Sequence, residues 1–307
     1  MYAYLARRLA ATIPVLFGIS LLVFSMLHLV PGDPVKMMLS EFQTNPAQLA
    51  KLRAQLHFDE PLPTQFGRFV WGAVRGDLGY SIRTKRPVTA EIMDNLPSTL
   101  ELAVSGLFVA VVIGVTLGIL AAVRQYSWVD ACSMVLALLG VSMPSFWLGY
   151  LLIFAFSLRL GWFPAAGGGD LRHLVLPALT LGLGASAIIA RLTRSSMLEV
   201  LRNEYITTAR AKGLREYRVL VRHALKNALI PVVTIFGLQF GQLLAGTVVI
   251  ETVFGRPGIG RLIVDAILAK DFPLVQGIVL VVALSYVLVN LLVDLVYALL
   301  DPRIRYV

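Results

Sequence analysis

Residues 204–214 read EYITTARAKGL, and residues 223–234 read HALKNALIPVVT. Both lie in or beside a basic stretch, Arg191 to Lys226, set inside an otherwise strongly apolar chain. A cationic segment held between apolar runs, and itself patterned as short helices, suits a surface that meets a partner in the aqueous phase. The pattern predicts a helix over 203–212 closed by Gly213, since glycine readily adopts the left-handed conformation just past a helix end. A second helix is expected over 215–228. On it Tyr217, Leu220, Val221, Ala224, Leu225 and Ala228 share one face, and Arg215, Arg218, Arg222 and Lys226 another. That is the signature of an interfacial helix with a cationic stripe for lipid headgroups. A short helix at an inner membrane face can seat in a groove on a partner and move with it; a solvated loop is the alternative reading.

The rest of the chain says which membrane architecture carries this segment. Of 307 residues, 57% are hydrophobic and only 15% charged, against about 25% charged in a soluble domain. A net charge of +9 suggests nucleic acid only if spread evenly. Here it gathers beside apolar runs, where basic residues set orientation and meet anionic lipid. Cys132 is the single cysteine, so no disulfide forms within the chain. His28, His57, His173 and His223 lack metal-ligand spacing.

A hydrocarbon core of about 30 Å needs roughly 20 apolar residues. Six stretches qualify: about 9–30, 99–123, 131–157, 174–193, 228–250 and 274–299. The first is too long for a signal-peptide core, and Pro31-Gly-Asp-Pro34 follows it where a small-residue cleavage site would stand. With the N-terminus inside, the cytoplasmic segments hold fourteen Lys and Arg and the two short outer loops five. The other eight fall in the long loop 31–97, where charge counts for little. Both termini are therefore expected in the cytoplasm.

Loop 31–97 contains two expected amphipathic helices, about 46–57 and 63–74, and a turn-rich GDLGYS at 76–81. Being small, it is read as packing on the membrane domain, as a structural cap or as a receptor contact. Small residues recur at Gly106, Ala110, Gly114, Gly118 and Ala122, at Ala178, Gly182, Ser186 and Ala190, and at Gly237, Gly241 and Ala245. A four-residue interval puts each set on one helix face, for close packing or for movement along a transport path. Pro144 breaks the third span and leaves Ser142 and Ser145 beside loosened backbone, where polar groups suit a cavity. Gln239 and Gln242 are neutral and three apart on the fifth span, a further pair that can touch a solute. Ser98 and Glu101 read as a capping box opening the second span, and Asp294, near Asn290, as a helix–helix hydrogen bond. No series of buried carboxylates or histidines of the proton-driven kind is present.

Nucleotide chemistry is missing too. GRPGIGRL at 255–262 has glycines in a loop, but Arg261-Leu262 stands where a phosphate-binding loop needs Lys and Ser or Thr. No G-x-S-x-G, H-E-x-x-H or dinucleotide fingerprint occurs. The chain is expected to be no enzyme, and to draw any pumping energy from another subunit.

TARAKGL followed by HALKNALIPVVT resembles the EAA loop of ABC-transporter permeases of the binding-protein-dependent importers, in particular the dipeptide/oligopeptide/nickel subfamily, as a B-type membrane subunit. The likeness extends along the chain through RRL at 7–9, PGDP at 31–34, GDLGYS at 76–81, TRSSMLEVL at 193–201, ETVFGRPGIGRL at 251–262, DFPLVQG at 271–277 and NLLVDLVYALLDPRIRY at 290–306. Aligned on Gly213, Thr207, His223 and Lys226 depart from the general EAA form and suit the peptide subfamily.

The resemblance implies an all-α, six-helix type-I ABC importer membrane domain over 94–300, with 1–30 and the extracytoplasmic 31–93 as an N-terminal addition and 301–307 as a cytoplasmic tail. Segment 194–227 would couple to the ATPase, with Glu204, Tyr205, Thr208, Ala209, Arg210, Lys212 and Gly213 forming the coupling helix. The implied partners are a second, related permease chain, two ATP-binding subunits, an extracytoplasmic solute-binding protein and membrane lipid, with no nucleic acid. No cofactor is bound by this chain; ATP belongs to the partners. The implied activity is import of di- or oligopeptides by alternating access across a bacterial or archaeal cytoplasmic membrane. Nickel or glutathione import is the nearest alternative. An ion-coupled transporter or channel acting alone, an intramembrane enzyme and a lipid-binding scaffold are the readings from other classes.

Overall fold

The computed structural model describes residues 2–29, 35–36, 50, 53–54 and 58–300, with side chains for all of these but 2–9, 234 and 294–300. The described chain is helical: α1 Tyr2–Leu29, α2 Leu62–Val74, α3 Val88–Val123, α4 Trp128–Ser142, α5 Ser145–Leu152, α6 Leu171–Leu201, α7 Glu204–Ala211, α8 Leu225–Val253, α9 Ile259–Leu268 and α10 Phe272–Leu300. Five of these are long and apolar enough to cross a membrane. The sixth expected span corresponds to a broken pair, α4 and the stretch Ser145–Arg159 that α5 opens and a π-helix completes, bent by 107° at Met143-Pro144. Pro144 cannot donate to the preceding turn, so the helix stops at Ser142 and restarts with Pro144 as its N-cap.

The chain divides into two compact units. The first takes in Met1–Pro97 and Arg261–Leu288. In it Phe24 of α1 stacks edge-on against Phe66 of α2, ring centroids 5.4 Å apart. Buried Gln65 donates to the Glu60 and Phe58 carbonyls at 2.7 and 3.2 Å. Asp271 is 1% exposed and organises the GDLGYS turn. Its carboxylate accepts from Ser81 Oγ at 2.5 Å and from the amides of Ile82 and Arg83 at 3.2 Å. The expected helix 63–74 appears as α2; the other, 46–57, and PGDP at 31–34 lie largely or wholly outside the described residues.

The second unit, Ser98–Gly260 with Val289–Val307, is built around α6. Its small stripe, Gly182, Ser186 and Ala190, meets the glycine stripe of α3. A Cβ added at Gly114 would lie 2.7 Å from the Ser186 carbonyl oxygen, and one at Gly118 2.7 Å from that of Ala190. Contacts advance in the same sense along both helices, so α3 and α6 run parallel. α4 and α8 run antiparallel to α6. Gly140 meets Leu183 while Asp130 pairs with Arg194, and Gly246 meets Leu181 while Gln239 reaches Ala185. The third stripe behaves differently: Gly237 packs on Val293 of α10, whereas Ala245 is exposed.

Two expectations are corrected. The capping box at Ser98 and Glu101 does not form, because the helix starts at Val88 and runs through Pro97. Thr99 instead donates to Glu251 Oε1 at 2.6 Å and accepts from the Ile259 amide at 2.8 Å, and Glu101 pairs with Arg256. The helix over 215–228 is not regular either. A π-helical stretch, Val219–Ala224, joins the turn Glu216–Arg218 to α8. A wide turn shifts the register by one residue. Val219 therefore becomes fully buried, while Tyr217 and Val221, expected on the same apolar face as Ala224, are 77% and 45% exposed.

Candidate functional site

α7 is short and its sequence barely apolar, so it depends on what it packs against. Ile206 is fully buried and Ala209 6% exposed, both set among Met197, Val219, Ala224, Ala228 and Ala122. Four of those five neighbours are small or β-branched, which lets a two-turn helix lie flat against the ends of α3, α6 and α8. Its other side is open: Glu204, Tyr205, Thr207, Thr208 and Arg210 are exposed, as are Lys212 and Gly213 after it. Of the seven residues expected to form the coupling surface, six are thus presented outward and Ala209 is turned inward, where it seats the helix.

A glycine turn and two sets of side-chain contacts fix this helix. Gly213 has φ +74°, a conformation that costs an L-residue about 1 kcal/mol or more, and it turns the chain back toward α8. Arg210 spans that turn, its Nε and Nη2 3.1 and 2.7 Å from the two carboxylate oxygens of Glu216. Hydrogen bonding to Arg210 holds the Glu216 carboxyl below its usual range and raises Arg210 in return. Tyr205 Oη donates to the His223 carbonyl at 3.4 Å and accepts from Asn227 Nδ2 at 2.8 Å. Arg210 is therefore already held by its own chain, and Lys212 is the cation that projects from the end of the helix.

Before α7 in the chain, Arg194 of α6 grips Asp130 of α4 through Nε and Nη2 at 2.7 and 2.6 Å. Their side chains are 26% and 8% exposed. Asp130 also accepts from the Tyr126 amide at 3.1 Å, locking the turn between α3 and α4.

Of the four polar residues proposed to touch solute, three come together. Ser145, Gln239 and Gln242 border a cavity of about 260 Å³, with Thr180, Gly184 and Gly246 among its walls. It lies where the α4–α5 break exposes α6 and α8. Gln239 is 3% exposed, its Nε2 3.5 Å from the Ala185 carbonyl. Ser142 is not part of it: that side chain is exposed and donates to the Leu138 carbonyl at 3.0 Å. No charged residue borders this cavity.

At the opposite end of α8, a buried polar cluster escaped the sequence reading. Glu251 is fully buried. A Cβ on Gly258 would collide with its carboxylate, whereas one on Gly260 would first meet the Val248 backbone and Gly255 turns at a φ of +56°. Arg256, 3% exposed, donates its backbone amide to the Glu251 carbonyl at 2.9 Å and its guanidinium to Glu101. The available signal was an ionisable residue at the edge of an apolar run; it was missed because the span was taken to end at residue 250.

With this geometry in view, the comparisons with known proteins are decisive. Residues 114–306 match the model of the binding-protein-dependent transport system inner membrane component, and residues 1–103 that of its N-terminal region. The chain belongs to that family. It is a multi-pass inner-membrane permease of the ABC-importer class, a transport subunit, and membership implies work with ATPase and binding-protein subunits. It is 45% identical, over all of both chains, to the dipeptide transport system permease protein DppB of Alkalihalophilus pseudofirmus. It is 46% identical, again end to end, to the glutathione transport system permease protein GsiC of Pectobacterium atrosepticum. Among solved structures, an inward-facing form of the MetNI methionine ABC transporter aligns with a TM-score of 0.58 at 18% identity, covering 68% of this permease and 96% of that chain. That likeness concerns the type-I importer membrane fold.

Proposed function

We propose that this permease imports di- or oligopeptides as one of two related membrane subunits, driven by two separate ATPase subunits and supplied by an extracytoplasmic binding protein. The observation that carries the reading is the end-to-end identity with a dipeptide permease. Glutathione, the solute in the name of the GsiC relatives, is the nearest alternative. α7 supports a coupling role: it is anchored by Ile206 and Ala209 and offers Tyr205, Thr208 and Lys212 outward to an ATPase. Its neighbours at the ends of α3, α6 and α8 would carry a push on α7 into the helices. Segment 194–227 is accordingly cytoplasmic in this reading, as are both termini. Residues 94–300 form the transport domain, and 1–93 the N-terminal addition.

The cavity bordered by Ser145, Gln239 and Gln242 is read as part of the solute path. Neutral amides and hydroxyls suit it, since they bind peptide groups without holding them tightly. ATP hydrolysis falls to the partners in this reading, which the Arg261-Leu262 pair supports by standing where a phosphate-binding loop needs Lys and Ser or Thr. The test is uptake into vesicles holding this chain, its sister permease, the ATPases and the receptor. ATP-dependent accumulation of labelled alanyl-alanine is expected. Accumulation of glutathione with no dipeptide uptake would move the assignment to the alternative.

A further inference from the structure

α6 is covered on three sides within its unit. α3 closes on Gly182, Ser186 and Ala190, α4 on Leu183 and Ala187, and α8 on Leu181 and Ala185. The fourth side carries Gly184, Ile188, Arg191 and Ser195, spaced by four, three and four residues and so aligned on one face. Gly184 and Ile188 are half-buried; Arg191 and Ser195 are exposed. Gly184 and Ile188 border the cavity that holds Gln239 and Gln242. Arg191 borders a second hollow of about 430 Å³, and Val141 borders both. The two hollows are therefore neighbours on the open face of α6, the second nearer the end of α6 that leads into α7.

Charge is uneven between them. The first has none. In the second stand two guanidinium groups, but that of Arg194 is answered by the bidentate Asp130. No carboxylate borders either hollow, and none pairs with Arg191 among the described residues. A neutral hollow is therefore followed by one that holds a cation, Arg191, with no carboxylate paired to it among the described residues.

We propose that Arg191 is a specificity-determining residue that recognises a carboxylate on the solute as it leaves the neutral hollow, so that the transported class bears a free carboxylate. This rests on the reading of that hollow as part of the solute path. A guanidinium is suited to the task because its planar fork matches a carboxylate. Its place in the second hollow, nearer α7, would draw the solute inward without trapping it in the first.

The test uses the assembled importer in vesicles of phosphatidylethanolamine and phosphatidylglycerol, with labelled alanyl-alanine and alanyl-alanine amide as probes. Arg191→Gln is expected to lower uptake of the free acid about tenfold and to change that of the amide less than about twofold, the scale of a lost charge-assisted hydrogen bond. Arg191→Lys should recover most of the loss. The receptor is the same throughout, so its own preference cancels in the ratio of variant to parent. Equal losses for acid and amide, or no loss, would overturn the proposal. So would a loss reproduced in the parent protein by vesicles of phosphatidylcholine alone and not deepened by Arg191→Gln, which would mark Arg191 as a lipid anchor. Gln239→Trp separates this from the path reading: full uptake with the neutral hollow plugged would sink the path itself, whereas blocked uptake with unchanged acid-to-amide selectivity in Arg191→Gln would sink only the role of Arg191.

Discussion

Arg194 holds both carboxylate oxygens of Asp130, 64 residues earlier, with nitrogen–oxygen distances of 2.7 and 2.6 Å. The pair ties the start of α4 to the last third of α6, shortly before α7. Ile206 of α7 packs in one cluster with Met197 of α6, so under the proposed coupling role a push on α7 would pass to α6 and, through the ion pair, to α4. Removing one partner leaves a mostly buried carboxylate or guanidinium uncompensated, which costs about 1.5–3 kcal/mol for hydrogen bonds to a charged group. Arg194→Gln is therefore expected to lower the melting temperature of the purified permease, and Asp130→Asn combined with Arg194→Gln to recover part of the loss. Single and double variants melting alike would show that the pair adds nothing.

Gly213 and its φ of +74° set the exit from α7, the helix proposed to couple to the ATPase. Gly213→Asp is expected to leave the protein inserted and the ATPases active, and to abolish coupled uptake, because the chain after α7 can no longer turn at that angle without strain. Uptake per ATP hydrolysed in vesicles measures this. An unchanged ratio would assign the turn no part in coupling.

The seam between α3 and α6 admits nothing larger than hydrogen at Gly114, where even a Cβ would meet both the Ser186 carbonyl and Ile189 at 2.7 Å. Gly114→Leu is expected to destabilise the protein by about 1–3 kcal/mol through overpacking. Gly18→Leu in α1, where an added Cβ meets nothing within 4 Å, serves as the control. Thermal unfolding followed by size-exclusion chromatography distinguishes them; equal losses would argue against a tight seam.

Acid acts on the turn after α7. The Glu216 carboxyl is held below its unfolded value by Arg210, so the pair's contribution is fully present above that unfolded value of about 4.3 and is lost as pH falls through the lower, folded one. Both side chains are about half exposed, which limits the effect to about 0.2–1 kcal/mol. Hydrogen exchange of residues 204–216 should be flat from pH 8 to about 5, after correction for intrinsic rates, and should quicken below about pH 4. Glu216→Gln should show the faster exchange at neutral pH. The same acid response in Glu216→Gln would remove the pair as its cause.

Asp271 is the anchor of the first unit. Asp271→Ala strips the acceptor from Ser81 Oγ and from two backbone amides. Loosening of residues 76–84 is expected, read as faster proteolytic nicking there at unchanged overall helicity. Resistance equal to that of the parent protein would show the turn is held by other contacts.

Much of this molecule was legible before its structure. The apolar stretches become α1, α3, α6, α8 and α10 because hydrocarbon admits only backbone that satisfies itself, and a helix does so within each turn. Pro144 marks the broken span and Gly213 the end of α7 for equally local reasons. Errors arose where a local rule met a distant competitor. Ser98-x-x-Glu101 has the form of a cap, yet Glu251 and Arg256 claim that region of α3 from more than 150 residues away. The face of 215–228 was misassigned because one wide turn rotates every later residue, and a helical projection assumes a constant period.

Chain order and composition by themselves determined a helical membrane protein with six candidate spans and a short helix inside the basic segment after the fourth. Hydrophobicity, proline and glycine act over a single turn, so they can be read along the chain. Only the tertiary structure decided that Asp130 meets Arg194, that Ala209 faces inward, and that one side of α6 stays open with Arg191 at its end. Which face of a helix remains uncovered depends on three neighbours at once, and no stretch of the helix's own residues contains that information.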